Sequence, residues 1–406
     1  MKGLNNQKIV FPILVAALGY FVDIYDLILF AVVRSPSLSS LGFKGDDIKV
    51  IGENLLNIQM VGMLLGGLIW GIIGDKKGRL TVLFGSIITY SLANLANGFV
   101  HDTTTYGLLR FIAGVGLAGE LGAGITLVAE IMPKETRGWG TTLIATVGVT
   151  GAIVAAIVGS KFDWRTSYFI GGGLGLSLLL LRVGVIESGM FSNVKNTQHE
   201  RGDFLLIIKD KIKLKKFLYV IFIATPTWYF IGILVTLSPE FGSAMGMLEK
   251  PSAPTSVMFA YIGIAIGDLL SGVLSQYFKS RKKAIAIFLG LSFIMLILYF
   301  TLGKTSLTAF YSIVLFFGIS VGYWAVFVTI ATEQFGTNIR ATVTTSAPNF
   351  VRGLLIPMSL LFKYTRDYFG SLTSIFTIGV IAILISIYSL YHLEETFEKD
   401  LDYIEK

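Results

Sequence analysis

Apolar residues run along this chain in blocks of about twenty to thirty, separated by polar segments that carry much of its lysine and arginine. The run Val10–Val33 sets the scale. Its twenty-four residues at about 1.5 Å each give about 36 Å of helix, enough to cross a hydrocarbon core of about 30 Å with some tilt. Twelve such spans are expected, near 10–33, 52–74, 80–99, 104–132, 139–159, 165–186, 217–241, 255–278, 283–301, 306–333, 341–363 and 370–392. Between the sixth and seventh lies Glu187–Lys216, the longest polar stretch, with a helix-capable basic tail from Lys209. It reads as a linker between residues 1–186 and residues 217–406, two bundles of six helices, the second followed by a polar tail.

Composition strengthens this picture. Hydrophobic residues make up 53% of the chain and charged ones 15%, and the mean hydropathy is +0.72, which together describe a polytopic all-helical membrane protein. The first block is longer than a signal-peptide core and no small-residue cleavage pattern follows it, so it is expected to stay as a mature helix. The absence of cysteine excludes thiol catalysis, cysteine-ligated metal clusters and disulfides. The net charge of +7 could suggest nucleic acid, but its distribution says otherwise. With the N-terminus inside, inside segments hold 21 lysines and arginines and outside segments 9, with Arg110, Arg182 and Arg352 left in spans. Both termini are therefore expected in the cytoplasm, and the positive charge is a topology signal rather than a nucleic-acid footprint.

The two halves echo each other. Glu130, Arg137 and Thr141-Thr142 follow the fourth span; Glu333, Arg340 and Thr344-Thr345 follow the tenth, every pair offset by 203 residues. Gly67 and Gly85 bracket the basic loop after the second span, and Gly272 and Gly290 bracket the loop after the eighth at the same separation of 18. A six-plus-six duplication follows.

Charge inside a span costs several kcal/mol unless it is paired, hydrated or protonated, so the acids of the first span, Asp23 and Asp26, are candidates for function. They lie one turn apart, and the expectation is that they face a wet interior pocket. Arg110 of the fourth span falls at a depth similar to Asp26. A buried carboxylate beside an arginine stays ionised and takes a proton when the arginine leaves, which couples proton movement to shape; the same two residues also read as a fixed structural pair. Glu120, with no basic residue within a turn, completes a proton-coupling set of Asp23, Asp26, Arg110 and Glu120.

Arg352, mid-span in the eleventh block with Asn349 one turn before and Pro348 and Pro357 flanking, suits a bidentate contact to a carboxylate or phosphate. It suits equally a salt bridge to Asp268 of the eighth span. Tyr20, Gln59, Trp228, Tyr229, Tyr323 and Trp324 complete the expected substrate-binding set, with ordinary packing the competing role for each aromatic ring. Asn57, Thr146 and Thr150 are further polar candidates. Asp75, with Arg79 four residues on, can cap the start of the third span or brace it by pairing with a basic residue from another helix end, a solvated turn being the competing role; Glu130 with Arg137, and Glu333 with Arg340, are expected to have a structural and gating role, since a pair present in one conformation biases an equilibrium by its differential energy. Ser280 or Gln276 stands where the second half should carry an acid, so that brace is expected to be weaker there.

The loop Gly71-Ile72-Ile73-Gly74-Asp75-Lys76-Lys77-Gly78-Arg79 resembles the signature between helices 2 and 3 of the major facilitator superfamily, and Arg110, Gly114 and Gly116 resemble its helix 4 motif. Glu130 to Gly138 and Asp163-Trp164-Arg165 are also similar to that family. Asp23-Ile24-Tyr25-Asp26 and Arg110 with Gly119-Glu120-Leu121-Gly122 look most like its proton symporters for metabolites, aromatic acids and related organic anions. The resemblance implies a twelve-helix secondary transporter in a cell membrane, working by alternating access with protons and a small organic anion as its partners, and a loop around Asp75 that braces a gate. The span-5 residues Gly148 and Gly151 lack the proline of the drug-antiporter branch, which disfavours efflux by antiport. No phosphate-cradling loop, cofactor motif or nucleophile-base set is seen, and His101, His199 and His392 all fall at membrane edges, so neither an enzyme nor a metal protein is expected. A lipid-embedded monomer is expected. An ion-independent facilitator and a membrane sensor that binds without moving its ligand are the competing readings.

Overall fold

The computed structural model describes residues 2–181 and 202–405, with side chains described from Val10 onward. Arg182, His199, the end of the sixth expected span and residues 187–201 of the linker lie outside the described residues. The described elements are helical throughout. Span 1 is Lys2–Ser40, span 2 Asp46–Lys77, span 3 Arg79–Asn97, span 5 Arg137–Lys161, span 6 Trp164–Leu181, span 8 Ala253–Tyr277, span 9 Arg281–Thr301 and span 12 Ser371–His392. Linker residues form Leu205–Lys209.

The remaining four spans are broken. Span 4 divides into Thr103–Leu117 and Glu120–Ile131, span 10 into Leu307–Val321 and Trp324–Glu333, and span 11 into Arg340–Gly353 and Leu355–Phe369. Span 7 runs Lys211–Phe222, then bends by 42° into Thr225–Tyr229 and a π-helical stretch, Phe230–Val235. The breaks in spans 4 and 10 fall at equivalent places in the repeat, since Gly119 and Gly322 stand 203 residues apart like Glu130 and Glu333.

A break inside a membrane frees backbone groups that water cannot reach, so each needs a side-chain partner. The Asn349 amide donates to the Ala118 carbonyl at 2.8 Å, Thr227 Oγ1 to the Val321 carbonyl at 3.2 Å, and the Asp268 carboxylate accepts from the Ala325 N–H at 3.0 Å. The breaks are thus held by groups from other spans, and in the case of Asn349 from the other half.

Large apolar side chains such as Leu180, Leu384 and Tyr391 point outward, whereas Arg79, Arg110, Arg137, Arg340 and Arg352 are fully buried. This is the reverse of a soluble protein's surface and fits a lipid-covered exterior around a polar interior. The halves meet where span 2 packs on span 11 and span 5 on span 8. Small residues set these distances: a Cβ at Gly71 would lie 2.8 Å from Thr342 Cα, and one at Gly122 only 2.3 Å from Thr345 Cα.

Candidate functional site

A narrow cavity of about 10 Å³, room for a single water, lies at the junction of the halves, lined by Tyr20, Ile24 and Val149 from the first half and by Thr227, Trp228, Ile231, Tyr261, Ile264, Trp324 and Arg352 from the second. Arg352 is its one charged lining residue. Nη1 donates to Asn349 Oδ1 at 3.0 Å, while Nε and Nη2 are buried without a hydrogen-bond partner. The guanidinium carbon stands 5.7 Å from the Trp228 ring and 5.8 Å from the Trp324 ring. A buried guanidinium near two indoles with one donor edge unfilled has the chemistry to accept a bidentate anion.

The alternative partner for this arginine is corrected by the geometry. Asp268 forms no ion pair with Arg352; it accepts from the N–H groups that open the second part of span 10, because the break exposes them. Of the other expected binding residues, Asn349 sits behind Arg352 and ties it to the Ala118 carbonyl. Tyr229 turns away and donates to the Ile375 carbonyl at 2.7 Å; Tyr323 donates to the Ile223 carbonyl at 3.0 Å. Gln59 lies within the first bundle, and Asn57 lines a different cleft near the opposite end. Thr150 donates to the Val147 carbonyl.

The first-span acids do not line this cavity, contrary to the sequence expectation. At about 100° per residue, Tyr20 and Ile24 share the cavity-facing side, Asp23 falls on its flank and Asp26 points back into the first bundle. There Asp26 packs so closely on span 6 that a Cβ at Gly171 would lie 2.1 Å from its Oδ1, and it faces Asn94 and Arg110. Arg110 makes no direct ion pair with it. The guanidinium donates to Gln59 Oε1 and to the Tyr168 hydroxyl at 3.5 Å and lies 4.9 Å from the Phe30 ring; Tyr168 in turn bonds Tyr106 at 2.8 Å. Asp26 and Arg110 are therefore neighbours in one buried polar cluster without being locked together. Glu120, buried at the start of the second part of span 4, accepts from Ser86 Oγ at 3.4 Å.

The expected gate residues gather at the end that carries the basic loops. The pairs foreseen within each half, Glu130 with Arg137 and Glu333 with Arg340, are exchanged between halves. Glu130 takes Arg79 of its own half at 2.7 Å and Arg340 of the other at 3.2 Å; Glu333 takes Arg281 of its own half at 3.2 Å and Arg137 of the other at 3.0 Å. The reason is the bundle interface: the segments carrying these residues abut their repeat-related counterparts. Asp75 also crosses over, accepting from the N–H groups of Ala341 and Thr342 at 3.1 and 2.8 Å, and stands 3.4 Å from Arg79.

Where the second half lacks an acid, the C-terminal tail supplies one. Glu395 accepts from the Ser280 hydroxyl and from the Arg281 N–H at 2.9 Å, capping span 9. The tail continues across these ion pairs, its Lys399 and Leu401 carbonyls accepting from Arg137 and Arg340. At the opposite end, the ion pair joining the halves among the described residues is Arg34 with Glu240, at 3.0 Å.

Asn94, Tyr106, Tyr168, Thr227 and Tyr261 escaped the sequence reading. Each is a polar or hydroxyl-bearing residue within an apolar run, and that signal singles out too many residues to choose among them without the packing.

With the geometry in place, comparison with known proteins is direct. The model of the Major Facilitator Superfamily matches residues 16–359. A putative niacin/nicotinamide transporter of Bacillus subtilis (strain 168) is 24% identical over 96% of each chain, and a gentisate transporter of Corynebacterium glutamicum is 23% identical over 97% of this chain and 92% of that one. Among solved structures, the proton:xylose symporter bound to 6-bromo-6-deoxy-D-glucose superposes with a TM-score of 0.80 at 16% identity, covering 98% of both chains.

Proposed function

Since the chain belongs to the major facilitator superfamily, as a multi-pass membrane transporter of small organic metabolites rather than an enzyme, we propose that its cargo is a small carboxylate, flat or aromatic, taken up together with protons across the cell membrane. The observation that carries the cargo is Arg352: a buried guanidinium with two unfilled donors, held by Asn349 between Trp228 and Trp324 on the central cavity. A carboxylate there fills both donors, and the indoles favour a planar body. One relative is named a putative niacin/nicotinamide transporter and another a gentisate transporter; niacin and gentisate are carboxylates of that kind, nicotinamide is the neutral amide.

Proton coupling in this reading runs through the first bundle rather than through direct contact with cargo. Asp26 and Arg110 sit near each other in one polar cluster, and Tyr20 on the same helix touches the cavity. Protonating Asp26 removes a charge facing Arg110, and a small turn of span 1 passes the change to Tyr20; Asp23 and Glu120 serve the proton's route. Two bundles then rock about the cavity, with the basic end, at the cytoplasm, sealed by Asp75, Arg79, Glu130, Arg137, Glu333 and Arg340.

The test is uptake by proteoliposomes of benzoate, nicotinate and gentisate against their amides, with and without an imposed proton gradient. Gradient-driven accumulation of a carboxylate but not of its amide is expected. Uptake of none of the acids, with or without the gradient, would remove the cargo assignment. A second reading, an ion-independent facilitator, is favoured by the seclusion of Asp26 from the cavity; it requires transport indifferent to collapse of the gradient.

A further inference from the structure

A second, narrow cleft of about 30 Å³ lies between the halves toward the end opposite the basic loops, closed down by the contact between them. The first half contributes Arg34, Glu53 and Asn57, and the second Thr236, Ser359, Lys363 and Arg366. Its lining carries three cations and one acid, with Glu240 beside Arg34 and Asp367 beside Arg366, a concentration of charge at an end where the rule that orients membrane proteins thins lysine and arginine out.

The cations are not alike. Lys363 is exposed and Arg366, half-buried, leans on the Phe362 ring at 5.9 Å and on Asp367 at 3.7 Å, as surface charges do. Arg34 is 5% exposed, its stem laid on the backbone of Gly52, where a Cβ would lie 2.5 Å from Arg34 Cδ. Its Nη2 donates to Glu240 across the halves at 3.0 Å, while its Nε is buried without a hydrogen-bond partner. Glu240 is likewise half-satisfied, its Oε2 having no partner. A guanidinium with a spare donor, paired one-to-one with a carboxylate that keeps a spare oxygen, is a poor fork-to-fork match. An incoming carboxylate that fills both donors at once competes with Glu240 on favourable terms.

We propose that this cleft is a first binding site for the carboxylate cargo, where Arg34 exchanges Glu240 for the cargo's carboxylate and so releases the tie between the halves at that end. The inference rests on the carboxylate reading of Arg352 and adds a site to it. Lys363 and Arg366 gather the anion at the mouth by long-range attraction. Arg352 lies eleven residues before Lys363 along span 11, about 16 Å deeper on helical rise, so the same span leads from one site to the next. The exchange makes opening depend on the chemistry of what arrives, since a neutral amide of the same shape leaves the Arg34–Glu240 pair intact.

The absence of native cysteine allows a clean test. Spin labels on Lys44→Cys and Leu248→Cys, exposed positions on the connections of the two halves at this end, report their separation in nanodiscs. Benzoate, nicotinate or gentisate is expected to lengthen that distance in the parent and equally in Arg352→Gln, while benzamide and nicotinamide do not. Arg34→Gln is expected to raise the half-maximal acid concentration tenfold or more. Glu240→Gln, which keeps the arginine and removes its competitor, is expected to lower it at least threefold. Lengthening that vanishes in Arg352→Gln, or a half-maximal concentration unchanged or raised in Glu240→Gln, overturns the cleft site and leaves the central one standing. No binding and no lengthening with any of the acids in the parent overturns both.

Discussion

At the basic end seven charged side chains from the two halves lie buried against one another, Asp75, Arg79, Glu130, Arg137, Arg281, Glu333 and Arg340, and the C-terminal tail is laced over them. At the opposite end Arg34 and Glu240 make the crossing, and the Glu240 side chain is 28% exposed. Ion pairs that are buried and shared resist loss of a partner far more than pairs in contact with water. The two ends therefore hold the halves together unequally, by shared buried pairs at the basic end and by one partly exposed pair at the other.

The comparison breaks most visibly if a shared acid is removed. Glu333→Ala leaves Arg137 and Arg281 buried without their carboxylate and is expected to destabilise the closed form by about 3–5 kcal/mol, read as a large fall in thermal midpoint in detergent. A shift below about 1 kcal/mol would show that the network is wet. Next in size, Arg352→Gln is expected to cost about 1.5–3 kcal/mol of carboxylate affinity, about ten- to hundredfold in Kd by calorimetry, with folding unchanged.

Asp26→Asn sharpens the contrast between the first bundle and the cavity, since it should abolish gradient-driven accumulation while leaving counterflow exchange. Retained accumulation would take the coupling away from Asp26. Glu240→Gln should change the thermal midpoint by no more than the equivalent of about 1 kcal/mol, in contrast to Glu333→Ala.

The smallest effect concerns the tail. Burial pushes the Glu395 carboxyl up, but hydrogen bonds from Ser280 and the N–H groups of Arg281, Phe397 and Lys282 outweigh it and hold the group below the ordinary carboxylate range. A depressed folded value means its contribution is full above the unfolded value of about 4.5 and fades as pH falls through the folded one. Protection of residues 393–405 from protease should therefore be level from neutrality to about pH 5 and fall below about 4.5, and Glu395→Gln should flatten that fall.

Much of this was written in the order of residues. Apolar blocks gave the spans because in lipid a helix satisfies its own backbone, so length and hydropathy suffice. The 203-residue offset that joins Glu130 to Glu333 also relates the breaks at Gly119 and Gly322, although an unbroken apolar run conceals a break. What the sequence withheld was partnership. Asn349 reads as a ligand until the Ala118 carbonyl is seen beside it, and Asp268 as a salt-bridge acid until the Ala325 N–H is. The rotation that turns Asp26 away from the cavity depends on Gly171 of span 6, 145 residues distant, leaving room for a carboxylate. Long-range packing of that kind has no local signature.

The crossed arrangement of Glu130 and Glu333 has one more outcome when the basic end parts. Each acid keeps the arginine of its own half, Arg79 or Arg281, so neither carboxylate is abandoned. Arg137 and Arg340, one on each lip of the gap, are the arginines that lose their carboxylate, Arg340 still donating to the Leu401 carbonyl of its own half. On the proposed anionic cargo and alternating opening, the exit would become cationic only while open, and a departing anion would leave past charges that were hidden from it a moment before.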